Sequence, residues 1–223
     1  MKPFAILIFF ISALAIAQNP RTQEVGDFHE VKVYDRMTVK LVKSDENKVV
    51  LSGQDIDDIV VVNKDGVLKI RMEFENSFDG DKTFVEVHYT DLDIIDGNEG
   101  SLIVANELIE QNEIEIRTQE GARVNAGLKV GEVKLRAVTG GVIQANGSAE
   151  KQEIELNTGG VFMGKDFETE TTKIRIQAGG EADINASKLA DIKIRAGGDV
   201  YVYGKPQEIR QNKFIGGNVK EMR

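Results

Sequence analysis

The stretch IRIQAGGEADINASKLADIKIRAGGDVYVYGKPQE, residues 174–208, contains the phrase Ile-x-Ile-x-Ala-Gly-Gly twice, beginning at Ile174 and at Ile192. In both copies apolar residues alternate with polar ones, and this period of two is typical of a β-strand. Glycine in a regular element costs about 0.5–1 kcal/mol relative to alanine, so a doublet at the same point in both copies indicates a corner that only glycine tolerates. The phrase therefore predicts a repeating unit of strand and glycine corner.

The same unit recurs on both sides of this stretch. Its strand phrases begin 17 to 21 residues apart, at Ile114, Val133, Ile154, Ile174, Ile192 and Ile209. Glycine doublets follow them, at positions 140, 159, 179, 197 and 216. Such a unit is too short to bury its apolar face alone, but units stacked at the spacing of paired strands, about 4.8 Å, bury it against one another. The sequence therefore predicts an all-β protein whose residues 97–223 form a parallel β-solenoid of about six coils.

Alignment of the strand phrases also predicts which side chains stack. The first residues of the six phrases are expected to form one inward apolar column. The next residue of each phrase points outward, and the sign of its charge mostly alternates from unit to unit. Cross-strand pairs of opposite charge stabilise a sheet by about 0.2–1 kcal/mol each. This predicted outward row is Glu115, Lys134, Glu155, Arg175, Lys193 and Arg210.

Residues 28–96 are expected to form antiparallel β-strands that lead into the solenoid, because alternating segments are separated there by short polar turns. Asp65-Gly66 between two valine-rich segments is a β-hairpin signal. Residues 18–27, QNPRTQEVGD, are expected to form a flexible tail. Since no linker-like segment interrupts residues 28–223, we expect them to form one continuous domain.

Residues 1–17 have the layout of a secretory signal peptide. Lys2 precedes an apolar run, and Ala15-Ile16-Ala17 provides the small residues for cleavage after Ala17. The run is shorter than the roughly 20 residues that span a bilayer, so we expect a mature chain without a membrane span. The absence of Cys excludes disulfides and thiolate metal sites. A formal net charge of −9 disfavours nucleic acid as a partner.

The order of these segments resembles a known bacterial family. The features that carry the resemblance are a signal peptide, Arg21 followed by Phe28, Val31 and Val33, the hairpin at Asp65-Gly66-Val67-Leu68, a Val-x-Val strand at Val85 and Val87, and the Gly-Gly units. They are similar to the domain of unknown function named the putative autotransporter-adhesin head GIN domain. The chain departs from that family in lacking the Gly-Ile-Asn tripeptide. The resemblance implies a right-handed parallel β-helix, an envelope or extracellular location and an adhesive role, and it transfers no catalytic or ligand residue.

Residues capable of catalysis or metal binding are scattered along the sequence. His29 and His88 lie in separate predicted strands and are expected to be ordinary surface residues. Asp91, Asp93 and Asp96 resemble a calcium loop, but their spacing is wrong and Leu102 stands where the bidentate glutamate is needed. We therefore predict no catalytic residue, no metal site and no cofactor, with an acidic solvated turn at Asp91–Asp96.

Ligand-binding candidates lie on the outward side of the segment that follows each glycine corner. They are amides and two tyrosines, which suit hydrogen bonding to sugars and stacking on sugar rings: Asn125, Gln144, Asn146, Asn185, Tyr201 and Tyr203. These residue types do not suit acid-base catalysis. The alternative interpretation is that they form amide ladders and aromatic cover on a strand face.

The sequence thus predicts an exported, non-enzymatic envelope or surface protein with an adhesin-like role, binding a glycan or an envelope protein. Its expected location is the periplasm, the cell surface or the extracellular space, and its oligomeric state is left open. Two alternatives remain. One is a polysaccharide-active lyase or glycosidase on a β-helix scaffold, which would need a pair of carboxylates or a basic cluster on one wall. The other is a purely structural envelope module.

Overall fold

The structure, a computed structural model, describes residues 20–222. The predicted signal peptide, residues 1–17, lies outside the described residues. The first part of the described chain consists of eight strands and three short 3-10 helices: β1 (Arg21–Glu24), β2 (Glu30–Val33), β3 (Thr38–Lys43), β4 (Lys48–Gly53), the helix Ile56–Asp58, β5 (Ile59–Lys64), β6 (Val67–Met72), the helices Phe74–Asn76 and Gly80–Lys82, β7 (Thr83–Tyr89) and β8 (Ile94–Gly97).

The second part consists of five long strands followed by three short ones. They are β9 (Leu102–Thr118), β10 (Arg123–Val138), β11 (Val142–Asn157), β12 (Gly160–Ile176), β13 (Gly180–Ala196), β14 (Asp199–Tyr203), β15 (Glu208–Ile215) and β16 (Asn218–Glu221). Each long strand pairs in parallel with the next one along the chain. The result is a β-solenoid of about 7 turns, so the predicted all-β solenoid fold is confirmed.

Each long strand contributes to two walls of the solenoid. The first wall has the order β1-β4-β7-β3, then the N-terminal halves of β9 to β13, then β14 and β16. The second wall has the order β5-β6-β2-β8, then the C-terminal halves of β9 to β13, then β15. In β10, alternate residues are buried from Val124 to Val130 and again from Val133 to Ala137. The alternation of buried and exposed residues shifts by one position at Gly131, where the strand passes from the first wall to the second.

The N-terminal strands pair in both directions. The predicted hairpin is present, because β5 and β6 are antiparallel, and β4 is antiparallel to both β1 and β7. However, β2 is parallel to β6 and β8, and β3 is parallel to β7 and β9. Parallel pairing between coils therefore begins at β2.

Residues 21–24, which we expected to lie in a flexible tail, form β1 at the edge of the first wall. The guanidinium of Arg21 donates to the carbonyl oxygen of Ile59 at 3.3 Å, and the amide of Gln23 donates to that of Val61 at 3.4 Å. Both acceptors belong to β5 at the edge of the second wall. The segment is held because its side chains bond to the opposite wall, a pairing that local composition does not reveal.

The glycine corners are confirmed as tight turns between the second wall and the first wall of the next coil. Thr139 and Gly140 have left-handed φ values of 49° and 73°, and the amide of Gly140 donates to the carbonyl of Thr158 at 3.1 Å. Successive turns are therefore bonded to one another. The second glycine of a doublet has a different role, since a Cβ at Gly160 would overlap the carbonyl oxygen of Ala137 in the preceding coil.

The predicted stacking is wrong by two residues for the third, fourth and fifth strand phrases, whereas the sixth, at Ile209, is again in the predicted column. Val133 lies beside Gln152, and Leu135 lies beside Ile154. The inward column that begins at Ile114 is therefore Ile114, Val133, Gln152, Thr172, Ala190 and Ile209. The predicted charge row shifts in the same way, and its true members alternate in sign without exception: Glu115, Lys134, Glu153, Lys173, Asp191 and Arg210.

A polar cluster occupies this inward column. Gln152 is 1% exposed, and its carbonyl oxygen accepts a hydrogen bond of 3.0 Å from the hydroxyl of Thr172. The hydroxyl of Thr172 lies 2.8 Å from that of Thr169. The side-chain nitrogen of Gln152 is buried without a hydrogen-bond partner among the described residues. A buried donor without a partner costs about 1–3 kcal/mol, so this column lowers the stability of the coil.

Replacement of this amide should stabilise the protein. We expect Gln152→Leu to raise the free energy of unfolding by about 1 kcal/mol, because the unpaired donor is removed while Thr172 keeps its bond to Thr169. The opposite variant, Thr172→Val, should lower the free energy of unfolding, since it leaves the oxygen of Gln152 without its donor. Urea unfolding followed by circular dichroism measures both. A loss of stability in Gln152→Leu would mean that the amide is needed for packing.

Candidate functional site

The first wall presents the predicted ligand-binding residues on its outer side. Adjacent coils place Asn125 beside Gln144, and the same outward row continues through Met163 and Asp183 to Tyr201. Neighbouring members of the row belong to paired strands about 4.8 Å apart. Gln144 and Tyr201 are therefore three strands apart, and the six predicted residues divide into two groups.

The first group lines a groove of about 330 Å³ across β9, β10 and β11, which we call the amide groove. Its side chains include four amides and two apolar residues: Asn106, Asn125, Gln144, Asn146, Val104 and Leu108. Leu108 is 48% exposed. The groove thus combines several hydrogen-bonding groups with exposed apolar surface, which is the chemistry of a carbohydrate or peptide site.

Three side chains of the amide groove, all from β9, were missed in the sequence: Val104, Asn106 and Leu108. The pairing of β9 with β10 passes from Ala105 beside Ala126 to Leu108 beside Gly127, so Asn106 and Glu107 form a bulge. A bulge bends its strand and redirects side chains. The signal for the bulge in the sequence was that the segment between Leu102 and Ile114 differs in length from the corresponding segments of later units. The repeat pattern alone could not assign this segment to the first wall.

The four amides of the groove have free hydrogen-bonding capacity. Within residues 20–222, the side chains of Asn106, Asn125, Gln144 and Asn146 make no hydrogen bond to protein. By contrast, the side-chain amide of Asn98 donates to the carboxylate of Asp96 at 3.1 Å and is buried. Asparagines that support the fold are bonded within it, whereas the groove amides are available to a ligand.

The second group of predicted residues is held by contacts within the fold. The amide of Asn185 donates to the carbonyl oxygen of Lys165 at 2.8 Å. The ammonium of Lys165 lies 5.5 Å from the centre of the Tyr203 ring, a cation–π distance. Asn185 and Tyr203 are therefore already engaged, and they fit the alternative interpretation of structural cover. Tyr201 lies beside Asp183 in the outward row, and the charge of Glu181 is the main cause that raises the pKa of Tyr201.

A second groove of about 460 Å³ adjoins the amide groove and crosses β4, β7 and β3. We call it the apolar groove, because most of its exposed surface is apolar, although Lys40 and Glu86 line it together with Val50 and Phe84. Phe84 is 56% exposed. Val104 and Asn106 line both grooves. The two grooves are thus continuous across six neighbouring strands, a distance of about 24 Å at the spacing of paired strands.

One carboxyl on this wall has an altered acidity. Burial raises the pKa of Asp183, and the charge of Lys165 opposes the rise. Glu181 lies two residues away on the same strand, and Asp199 pairs with Glu181 in the next coil. These carboxylates lie beyond the amide groove and are the part of the wall that the polysaccharide-active alternative would use.

The histidines and acidic turns do not form a metal site within the described chain. His88 lies 3.8 Å from the carboxylate of Glu86, and His29 packs against Gly66. Asp96, which we expected in a solvated acidic turn, is buried in strand β8, and its carboxylate lies 3.2 Å from the ammonium of Lys32. No group of three His, Asp or Glu residues among residues 20–222 is placed to hold a metal ion. No helix in the same range has the length and apolar character needed to cross a membrane.

Comparison with known proteins places this geometry in context. A crystal structure of a putative adhesin from Bacteroides fragilis has a TM-score of 0.83 at 16% identity, covering 92% of this chain and 96% of that one. A putative adhesin from Parabacteroides distasonis has a TM-score of 0.73 at 16% identity, with 92% and 96% covered. A protein from the same species, named a putative lipid binding protein, has a TM-score of 0.67 at 16% identity, with 92% and 98% covered. At these identities the similarity shows the shared fold alone.

No curated protein matches the chain. The family model described as "Putative auto-transporter adhesin, head GIN domain" matches residues 27–206, which is most of the described chain. The match confirms the resemblance seen in the sequence and extends from before β2 to beyond β14. The chain therefore belongs to the auto-transporter adhesin head GIN domain family.

Proposed function

We propose that this protein is an exported, non-enzymatic adhesin-type module that binds an uncharged glycan along the amide groove and the adjoining apolar groove. The observation that carries the proposal is the set of four amides in one groove, none of them bonded within the described protein. Side-chain amides both donate and accept hydrogen bonds, as sugar hydroxyls do. Leu108 and Phe84 add exposed apolar surface on which the carbon face of a sugar ring packs.

The shape of the surface favours a chain ligand over a small molecule. The two grooves are open along the wall and extend over about 24 Å, whereas a site for a small molecule is a cleft or cavity that buries most of its ligand. Parallel strands hold the groove side chains at fixed spacing, so little conformational entropy is lost when a chain with a regular repeat binds. Membership of an adhesin family is consistent with a ligand on a cell surface.

Removal of two groove amides should weaken binding without affecting the fold. We expect Asn125→Ala combined with Gln144→Ala to lower the affinity for a bound glycan by roughly 5- to 150-fold, because two hydrogen bonds of about 0.5–1.5 kcal/mol each are lost. A glycan array identifies the ligand, and calorimetry of the same sugar measures the change. The melting temperature should stay within a degree of the wild type, since neither side chain bonds to the fold.

Matched variants locate the site. Asn112→Ala removes an exposed amide outside the groove and should leave the affinity unchanged. Tyr201→Ala with Tyr203→Ala removes the two aromatic rings at the far end of the wall. Full affinity in the amide variant together with weak binding in the tyrosine variant would move the site to the C-terminal coils. Unchanged affinity in both variants would reject the first wall as the binding surface.

A turnover assay on the bound sugars separates an adhesin from an enzyme. We expect no product from any sugar retained by the array. Product formation that disappears in Asp183→Asn would establish the lyase or glycosidase alternative, because Asp183 is the carboxyl of this wall whose pKa is raised by burial. Fractionation of cells that produce the full chain tests the proposed export, which fails if the protein remains in the cytoplasm.

A further inference from the structure

The second wall carries two adjacent outward rows of charged side chains with different patterns. In the row from Glu115 to Arg210, every neighbour has the opposite sign. The row two residues farther along each strand is Arg117, Arg136, Glu155, Arg175, Lys193 and Asn212. Here two pairs of cations lie side by side, Arg117 with Arg136 and Arg175 with Lys193, and Arg117 is paired with the carboxylate of Glu115 at 2.6 Å. Like charges directly opposite one another destabilise a sheet. The row from Glu115 to Arg210 shows that side chains of opposite charge can lie side by side on this wall.

The positive charge near Arg175 is only weakly compensated by the protein. The guanidinium of Arg175 lies 3.9 Å from the carboxylate of Glu155, near the outer limit of an ion pair. Within residues 20–222, no carboxylate oxygen lies within 4.0 Å of the charged atoms of Lys193 or of Arg195, which follows on the same outward side. Three exposed cations are therefore concentrated on two neighbouring strands of a chain whose net charge is −9.

These cations line a groove of about 320 Å³ that also contains an aromatic ring, and we call it the cationic groove. Phe214 is 79% exposed. Its neighbours Lys213 and Ile215 pair with Ile194 and Ala196, so the ring lies beside Arg195. Asn212, next to Lys193 in the outward row, supplies an amide. The groove thus presents cations, an amide and a ring face together.

We propose that the cationic groove binds an acidic polysaccharide, a sugar chain that carries carboxylate or sulfate groups. Arg and Lys side chains form charge-assisted hydrogen bonds with such groups, and the Phe214 ring provides a flat surface for the carbon face of a sugar. The site lies on the second wall and takes a charged ligand, so it is separate from the uncharged-glycan site proposed for the first wall. Three cations fit widely spaced anionic groups better than DNA, which has one charge per about 1.7 Å.

Charge reversal in the groove tests the proposal with the full chain. The probes are polygalacturonate, which carries carboxylates, and heparin, which carries sulfates, with dextran as the uncharged control. We expect the wild type to bind at least one acidic probe and Lys193→Glu with Arg195→Glu to bind it at least tenfold more weakly. The control variant Lys129→Glu with Lys188→Glu makes the same change of net charge at two exposed lysines outside the groove and should retain wild-type affinity.

Two further readouts distinguish a ligand site from a structural role. Lys193→Glu alone should abolish most of the binding while its melting temperature equals or exceeds that of the wild type, because the new carboxylate lies beside Arg175. Phe214→Ala should weaken binding severalfold and leave the salt dependence of the affinity unchanged, whereas the double charge reversal should reduce that dependence.

Three results would overturn the proposal. The first is equal weakening of binding in the groove and control double variants, which would make net charge the cause. The second is the absence of wild-type binding to both acidic probes. The third is binding to vesicles of phosphatidylglycerol without binding to either polysaccharide, which would assign the groove to lipid head groups. Each result leaves the first-wall proposal intact, because that proposal concerns uncharged sugars and different residues.

Discussion

Phe162→Ala is expected to lower the free energy of unfolding by about 3–5 kcal/mol, the usual cost of removing a buried phenyl ring. Phe162 is 1% exposed and points into the solenoid between Ile143 and Ala182 of the adjacent coils. Because the alanine on one side is small, the ring fills the space between coils, and its removal leaves a cavity that the regular strand spacing cannot close. Guanidinium unfolding monitored by far-ultraviolet circular dichroism measures the loss.

The matched control for this variant is Phe74→Ala. Phe74 is 90% exposed in a 3-10 helix at the edge of the fold, so its removal should change the free energy of unfolding by no more than about 0.5 kcal/mol. A loss below 1 kcal/mol in Phe162→Ala would contradict a tightly packed solenoid interior. Similar losses in both variants would show that the substitutions change the free energy of the unfolded state and not the packing of the folded state.

Gly160→Ala is expected to destabilise the protein by about 3 kcal/mol or more, because the added methyl group overlaps a backbone atom. The atom is the carbonyl oxygen of Ala137 in the preceding coil, and a side-chain rotation cannot relieve the overlap. The two coils must separate locally, which breaks hydrogen bonds of the parallel ladder. The same unfolding experiment measures the effect.

The adjacent glycine separates this steric effect from backbone strain. Gly159 has a left-handed φ of 76°, and nothing lies within 4 Å of a Cβ placed on it. Gly159→Ala should therefore cost only the conformational penalty of about 1–2 kcal/mol. The predicted order is that Gly160→Ala is the more damaging of the two. The reverse order would mean that the left-handed conformation at the corner, and not the close approach of coils, requires the doublet.

The coil architecture was predictable from the sequence because its physical causes are local. Alternation of apolar residues fixes which side chains point inward, and glycine doublets mark the turns, as at Gly140. Both signals recur in successive units and support one another. The hairpin at Asp65-Gly66 was found for the same reason, since its turn geometry depends on two adjacent residues.

The stacking register was not predictable because polar residues occupy the tube interior. Alignment of apolar phrases matched Ile154 to Val133, whereas the structure places Gln152 there. The buried amide of Gln152 accepts its hydrogen bond from Thr172, which belongs to the next coil. Nothing within its own repeat unit therefore shows that Gln152 points inward. A shift of two residues keeps every side chain on the same side of its strand, so alternation alone could not reveal the error.

The ligand grooves depend on relations between distant residues. The sequence identified Asn125, Gln144 and Asn146 because they follow the corners of successive units. It missed Asn106, which reaches the groove through a bulge, and it included Asn185, whose amide bonds to the backbone of Lys165. The predicted row already placed Arg175 beside Lys193, but the cationic groove was missed because Phe214 joins these cations only through the pairing of β15 with β13.

Strands β1 and β16 lie at opposite ends of the first wall. A pulling force applied between residues 20 and 222 therefore acts along the tube, parallel to the hydrogen bonds that join one coil to the next. β1 and β16 have 4 residues each and β13 has 17, so under tension the short strands at the two ends, including those of the last coil, should peel away before the long strands. Because β15 carries Asn212 and Phe214, such peeling would dismantle the cationic groove while β9, β10 and β11 still hold the amide groove together.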